Sequence, residues 1–118
     1  MYQDIKERTF QFGVSVVNLV AHLQESGTNK AIINQILRSG TSVGANVEEA
    51  HASFSRKDFI YTMNIALKEA RETHYWLRLM RKASIAGAST LDELLVESEE
   101  LKKILGAIVS KLRGKNKH

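Results

Sequence analysis

Apolar residues recur at helical spacing through the segment 4–24. At ~100° per residue, one face of this segment carries Ile5, Phe12, Val16, Leu19, Val20 and Leu23, and Phe10, Val14, Val17 and Ala21 lie beside that face. The combined apolar arc covers more than half of the helix, although a helix packed against one layer needs a stripe of only ~100° or a little more. The pattern therefore predicts a first helix that is buried on two sides, either because the protein oligomerises or because the fold itself wraps this helix.

A second helix is predicted from about Lys30 to His51, after a turn-rich segment at 25–29 that ends in candidate N-cap residues. Its core face is formed by Ile32, Ile36, Gly40, Val43 and Val47, and a polar stripe of Gln35, Ser39, Ser42, Asn46 and Glu49 borders that face. Gly40 and Gly44 each cost a helix ~1 kcal/mol relative to alanine. Their presence in mid-helix predicts that another backbone approaches closely there.

A third helix is predicted to open at Ser55, with Asp58 completing a variant of the capping box, and to run to about Lys82. Its inward positions are Phe59, Met63, Ala66, Ala70, Thr73 and Leu77. Glu69 falls inside the apolar arc, where an unpaired carboxylate is costly to bury, so we expect it to have a partner. The opposite face is polar and positively charged, with Asn64, Lys68, Arg71, Tyr75, Arg78 and Lys82 in one stripe.

A fourth helix is predicted from Leu91 to about Leu112, after a small-residue loop at 83–89 and a capping box of Thr90 and Glu93. The residues Leu94, Ser98, Leu101, Leu105, Ile108 and Leu112 alternate steps of four and three, as in a bundle seam. Four helices with short connections predict an all-α, antiparallel up-down-up-down four-helix bundle. We expect one domain over residues 1–112, followed by a basic flexible tail at 113–118.

The composition agrees with long helices and narrows the kinds of chemistry available. The chain has no proline to interrupt a helix and no cysteine, which excludes disulfides, thiolate metal sites and cysteine nucleophiles. No apolar run approaches the ~20 residues that span a bilayer. The amino terminus also lacks the basic-then-apolar order of a signal peptide, so we expect a cytoplasmic protein.

The formal net charge of +4 is concentrated at the carboxyl end. Lys111, Arg113, Lys115 and Lys117 account for all of it, and residues 1–110 are formally neutral. Within that neutral part the third helix is positive and the fourth is negative. The tail is either an ordinary frayed terminus or a segment that attracts phosphate.

The sequence contains little that marks an active site. A lone Glu48-x-x-His51 occurs, whereas di-iron bundles need two such pairs and two further glutamates. The scattered glycines form no phosphate loop, and nothing marks a nucleophile turn or an oxyanion hole. We therefore expect a protein that is not an enzyme and that uses no metal or cofactor.

Part of the chain is similar to a known family. The segment from Gln35 to Ala50, which contains Arg-Ser-x-x-Ser-x-x-x-Asn-x-x-Glu, carries this similarity together with residues 55–59 and 65–77. These residues resemble the bacterial four-helix-bundle proteins related to those encoded in 23S rRNA intervening sequences. The second and third helices match closely, and the outer two match by pattern only.

The resemblance implies that the protein assembles into a ring-shaped homo-oligomer, with a pentamer as the expected size. It points to a class of function but implies no enzymatic reaction. It also implies kinship with the accessory variability determinant proteins of diversity-generating retroelements, which bind nucleic acid and a reverse transcriptase through a basic surface.

The candidate functional residues form two sets. Cations and a tyrosine that could bind RNA or single-stranded DNA are Lys68, Arg71, Tyr75, Arg78 and Lys82 with the tail residues Lys111, Arg113, Lys115 and Lys117. A polar network between the second and third helices or across subunits would comprise Arg38, Ser42, Asn46, Glu49 and Glu69, with Arg78 as a further member. Two alternatives to nucleic-acid binding stay open: a basic face paired with the acidic fourth helix, and a protein–protein scaffold or mobile-element accessory protein without direct nucleic-acid contact.

Overall fold

Four helices form where the hydrophobic periodicity predicts them. The computed structural model describes residues 2–83 and 89–116, with the side chains of 4–83 and 89–114. The helices are α1 (Tyr2–Glu25), α2 (Lys30–His51), α3 (Arg56–Lys82) and α4 (Ser89–Asn116). Neither of the two described ranges contains a strand, so the all-α prediction is confirmed.

Side-chain caps set the starts of the two central helices. The Asn29 side chain accepts the backbone N–H groups of Ala31 and Ile32 at the start of α2. Ser55 Oγ accepts the N–H of Asp58 at 3.0 Å at the start of α3, which satisfies a donor that a helix leaves unpaired. Gly27, with φ of 75°, makes the turn before α2 in a conformation that favours glycine.

Pairs of residues in contact show that successive helices run antiparallel. Arg56 and Leu112 meet at one end of α3 and α4, and Arg81 and Asp92 meet at the other end. In the same way, Gly40 faces Val16 and Gly44 faces Thr9 across α1 and α2. The helices pack in the order α1, α2, α3, α4, with a smaller contact between α4 and α1 that closes the bundle. The predicted antiparallel arrangement is therefore present in the chain.

The core is built from the predicted seams. All six residues of the first apolar face of α1 are buried, as are Met63, Ala66, Ala70, Thr73 and Leu77 of α3. On α4 the buried positions include Leu94, Ser98, Leu101, Leu105 and Leu112. The expectation for α2 was wrong by one residue at its start, because Ile33 is buried and Ile32 is only partly buried against the core. Because Ile32 and Ile33 are adjacent and equally apolar, the periodicity alone does not show which of them is buried.

Gly40 and Gly44 allow α1 and α2 to approach closely. A Cβ atom on Gly44 would lie 3.0 Å from the carbonyl oxygen of Thr9, so the backbone of α1 does pass against this glycine. At Gly40 the neighbour is the Val16 side chain, with Cγ1 2.7 Å from such a Cβ. The predicted close backbone approach therefore holds at Gly44, whereas Gly40 makes room for a side chain.

The fourth helix is longer than the sequence predicted. It begins at Ser89 and continues to Asn116, so Thr90 lies inside the helix, and the helix extends into the segment predicted as a tail. Cations at the carboxyl end of a helix interact favourably with its dipole, which offsets the weak helix propensity of Gly114. The interior of the predicted loop at 83–89 and Lys117 lie outside the described residues.

Candidate functional site

One face of α3 carries a continuous cationic stripe. Lys68, Arg71, Tyr75, Arg78 and Lys82 follow one another at alternating steps of three and four, which places them on the same side of the helix. All five are exposed. The Tyr75 ring is held edge-on against Trp76, with ring centroids 5.2 Å apart. We call these five residues the α3 stripe.

Four of the five carboxylates of α4 pair with cations outside the α3 stripe, Glu100 with Arg8 at 3.9 Å among them. Glu97 accepts from Arg8 at 2.7 Å, Glu99 pairs with Lys102 at 2.9 Å, and Asp92 pairs with Arg81 at 2.8 Å. Within residues 4–83 and 89–114, none of the four cations of the α3 stripe forms an ion pair. Pairing between this basic face and the acidic fourth helix of the same subunit is therefore not found among these side chains. Among the described side chains, the positive charges of the stripe are therefore exposed and have no ion-pair partner.

The predicted nucleic-acid residues fall into two separate groups. Lys111 and Arg113 are exposed on the last turns of α4. Arg56 Nη2 donates to the carbonyl oxygen of Leu112 at 3.4 Å, which places that end of α4 beside the start of α3. At 1.5 Å per residue, the nearest stripe residue, Lys68, lies about 18 Å further along α3 than Arg56. The carboxyl end of α4 therefore lies outside the α3 stripe, beyond its near end. The side chain of Lys115, and Lys117 as a whole, lie outside the described part.

Arg38 of α2 bridges two carboxylates of α3. Its Nη1 lies 3.2 Å from Glu69 Oε1, and its Nη2 donates to Glu72 Oε2. Gln35 Oε1 accepts from both Nε and Nη2 of Arg38 at 3.2 Å. Glu69, whose side chain is only 20% exposed, thus has the partner that its position in the apolar arc required.

Glu72 is a member of this arrangement that the sequence pattern did not predict. Its carboxylate accepts from Arg38 and from Trp76 Nε1, the latter at 3.0 Å, and these hydrogen bonds hold the pKa of Glu72 below its usual value. The same contact with Glu72 raises the pKa of Arg38. Glu72 follows Glu69 by three residues on the same side of α3, so the i, i+3 spacing could have indicated it.

The other four predicted network residues do not take part in this bridge. Ser42 Oγ donates to the carbonyl oxygen of Arg38 at 2.6 Å, and Asn46 Nδ2 donates to that of Ser42 at 2.8 Å. Glu49 is exposed and lines the opposite side of α2, next to α1. Arg78 is exposed as well. Inside the subunit, the predicted network therefore reduces to Arg38 and Glu69, since short hydroxyl and amide side chains reach their own helix more easily than a neighbouring one.

A buried hydroxyl pair also joins α2 to α3. Ser39 Oγ donates to the carbonyl oxygen of Gln35 at 2.8 Å, and Thr73 Oγ1 lies 2.9 Å from Ser39 Oγ. The Thr73 hydroxyl also lies 2.7 Å from the carbonyl oxygen of Glu69. Both residues are fully buried and bonded, so they fix how the two central helices meet.

His74 forms a second polar contact between helices, here between α3 and α4. Its Nδ1 lies 2.8 Å from Ser98 Oγ, which also donates to the carbonyl oxygen of Leu95 at 3.1 Å. Burial lowers the pKa of His74, and the nearby charge of Lys102 lowers it further, while Glu99 acts in the opposite direction and Arg78 adds a small lowering effect.

We expect the stability of the protein to decrease as the pH falls below about 6.5, the ordinary histidine pKa. The folded state disfavours the imidazolium of His74, so the unfolded chain binds more protons in this range and folding loses free energy as the pH approaches the lowered pKa. Urea unfolding between about pH 5 and pH 7 measures the effect. His74→Gln should flatten this dependence, and His22→Gln, on the exposed surface of α1, serves as the control. An unchanged slope in His74→Gln would contradict the assignment.

An open apolar groove runs between α1 and α2. Phe10, Val14 and Val17 of α1 are 53%, 40% and 47% exposed, so the fold does not wrap the second apolar side of this helix. The groove has a volume of about 760 Å³. Its wall also contains small residues and two carboxylates: Thr9, Gly13, Thr41, Gly44, Ala45, Glu48 and Glu49, with Asn18. We call this surface the α1–α2 groove.

The Glu48-x-x-His51 pair does not form a metal site with other residues of the described part. The described side chains contain no group of three potential ligands placed to hold an ion. His51 Nδ1 instead lies 2.8 Å from the carbonyl oxygen of Val47. In the described ranges, no helix has the length and hydropathy to cross a membrane.

Comparison with known proteins identifies the family. The family model for the 23S rRNA-intervening sequence protein matches residues 2–107. The chain belongs to this family. Among solved structures, this 23S rRNA-intervening sequence protein is similar to a crystal structure of a protein of unknown function from the S23 ribosomal protein family of Bacteroides thetaiotaomicron. The two are 41% identical, with a TM-score of 0.84, and the match covers 89% of this chain and 97% of that chain. No curated protein matches.

The family assignment confirms the resemblance seen in the central helices. It extends the match through α1 and most of α4, where the sequence showed similarity by pattern only. The α3 stripe and the α1–α2 groove are accordingly surfaces of a 23S rRNA-intervening sequence protein.

Proposed function

We propose that this protein is a cytoplasmic, self-associating protein that binds RNA or single-stranded DNA through the α3 stripe and catalyses no reaction. The observation that carries the proposal is the set of four exposed cations on one helical face with no ion-pair partner among the described side chains. Uncompensated Lys and Arg side chains attract phosphates by releasing condensed counterions. Tyr75, exposed within the same stripe, offers a ring on which an unpaired base can stack.

The α1–α2 groove supports the self-association part of the proposal. Its exposed apolar side chains form one continuous strip on α1, and water-exposed strips of this kind mark interaction surfaces. We propose that a second copy of the chain covers this groove. Glu48 and Glu49 at the groove would then meet cations of the neighbouring copy. A ring, with five copies as the size implied by the resemblance, would repeat the α3 stripe and raise avidity for a long nucleic acid.

Binding is expected to weaken steeply with salt and to depend on the stripe. The double variant Arg71→Ala/Arg78→Ala should bind a single-stranded oligonucleotide more weakly than wild type. Its slope of log K against log salt should be smaller by about 1.4, because each lost phosphate contact on a single strand removes about 0.7. Fluorescence anisotropy titrations at several salt concentrations measure both quantities.

The matched control for this experiment is Lys30→Ala/Lys103→Ala. It removes the same amount of charge from exposed positions on α2 and α4 that are not members of the stripe. This control should retain the wild-type salt slope. Equal weakening in both double variants would mean that net charge alone governs binding, and no binding of wild type at low salt would refute the proposal.

A protein–protein scaffold or mobile-element accessory role is the second candidate function. The observation that favours it is the same α1–α2 groove, which is more apolar than a nucleic-acid surface requires. A partner protein seated there would bind with little dependence on salt, and Arg71→Ala/Arg78→Ala would leave its affinity unchanged. The salt titration therefore separates the two functions.

A further inference from the structure

Phe54 is a fully exposed aromatic residue that belongs neither to the α3 stripe nor to the α1–α2 groove. It lies in the corner between α2 and α3, where the backbone is anchored on both sides of it. Ser53 N–H donates to the carbonyl oxygen of Ala50 at 3.0 Å, and Ser55 caps α3. The corner therefore holds the Phe54 backbone in place while its ring stays in solvent.

The fold does not use this ring for packing. Phe59, a few residues later, is partly buried and packs edge-on against His51 with ring centroids 5.5 Å apart. The immediate neighbours of Phe54 are the polar residues Ser53 and Ser55. A single ring between serines is too small for the contiguous apolar patch that marks a protein or membrane docking surface.

Two cations follow this corner directly along the chain, and the end of α4 lies beside the first of them. Arg56 and Lys57 occupy the first turn of α3, with Asp58 as the acidic residue of that turn. The contact between Arg56 and the carbonyl oxygen of Leu112 places the end of α4, which carries the exposed Lys111 and Arg113, beside Arg56. We call Phe54 and these four cations the corner cluster.

Two of these cations lie at the amino end of α3. Positive side chains at the amino end of a helix oppose its dipole, so Arg56 and Lys57 do not stabilise α3 through that interaction. They raise the positive potential beside an exposed aromatic ring. A planar ring flanked by cations is the combination that binds a base by stacking and its adjoining phosphates by charge.

We propose that the corner cluster is a second binding site, which takes one unpaired base of single-stranded nucleic acid on the Phe54 ring and the flanking phosphates on Arg56, Lys57, Lys111 and Arg113. The site requires an unpaired base because a duplex keeps its base faces stacked on one another. It uses none of the residues of the α3 stripe, so each site can be tested independently of the other.

The test compares variants at Phe54 in binding a fluorescent oligouridylate and a blunt duplex. Phe54→Ala should weaken binding of the single strand about fivefold to a hundredfold, the range measured when a stacking aromatic is removed. Duplex binding should stay unchanged. Phe54→Trp should retain the affinity, and Phe54→Leu, which is apolar but cannot stack, should behave like Phe54→Ala. Because the ring is fully exposed, all three variants should unfold at the wild-type urea concentration.

The outcomes distinguish the two sites. Loss of binding in Arg71→Ala/Arg78→Ala with none in Phe54→Ala would overturn the corner cluster and keep the α3 stripe. The reverse pattern would keep the corner cluster and overturn the stripe, and no binding by wild type would overturn both. A Phe54-dependent change in oligomer mass, or Phe54-dependent binding to anionic phospholipid vesicles without oligouridylate binding, would also overturn the corner cluster.

Discussion

Replacing Gly40 by valine is expected to lower the free energy of unfolding by roughly 3 kcal/mol. The added Cβ alone would lie 2.7 Å from Cγ1 and 2.8 Å from Cγ2 of Val16, well inside the ~3.5–4.0 Å at which carbon atoms pack. Val16 cannot easily turn away, since it is buried and a helical valine has one strongly preferred rotamer. The better helix propensity of valine recovers only a few tenths of a kcal/mol. Urea unfolding followed by circular dichroism at one protein concentration measures the loss.

Two further variants show whether this contact is the cause. Gly106 lies on α4 with nothing within 4 Å of an added Cβ, so Gly106→Val should leave stability nearly unchanged. In the pair Gly40→Ala and Val16→Ala, removing the Val16 methyl groups should make the double variant more stable than the two single losses predict, by about 1 kcal/mol. Equal losses at both glycines, or strict additivity in the pair, would show that α1 and α2 do not meet as described.

Placing a carboxylate in the α1–α2 groove is expected to dissociate the assembly. Wild-type protein should have a mass in solution that is a multiple of 13.3 kDa, five copies for the expected ring, and Val14→Asp should have the mass of one copy. Burying an unpaired charge in an apolar interface costs several kcal/mol per ion. The subunit itself should stay folded because Val14 is 40% exposed in it. Light scattering measures the mass, and circular dichroism measures the helix content.

Val96→Asp supplies the matched control for Val14→Asp. Val96 is 67% exposed on α4 and does not line the groove, so this variant introduces the same charge on a different helix. It should keep the mass of the wild-type assembly. A monomeric wild type, or dissociation by both variants alike, would show that the groove is not the contact between copies.

The sequence predicts most of the fold because periodicity reports the buried face of each helix directly. The bounds of α2 matched, and Ser55 capped α3 as expected. The wide apolar arc of α1 is also present in the structure, where its second side forms an exposed apolar strip. Periodicity did not identify the buried residue where two adjacent residues are equally apolar, as at Ile32 and Ile33. It also placed the end of α4 too early, because cations at the carboxyl end favour a longer helix than Gly114 suggests.

The candidate site was harder to predict, because side-chain reach and helix direction decide it. Arg38 was expected to meet Glu69, but it also reaches Glu72, which lies within the span of the same guanidinium. Ser42 and Asn46 are too short to leave their own helix and bond to its carbonyl oxygens. The tail cations were grouped with the α3 stripe by charge alone, and only the antiparallel course of α4 separates them.

That antiparallel course has a consequence for the length of strand the protein can engage. The nearest stripe residue, Lys68, and the corner residue Arg56 are about 18 Å apart along α3. A stacked strand rises about 3.4 Å per nucleotide, so about five nucleotides separate the two sites. Shorter oligonucleotides can occupy one site at a time, whereas longer ones gain the second contact within the same molecule. The helix fixes the distance between the two sites. Affinity should therefore rise in a step once the strand is long enough to reach both of them.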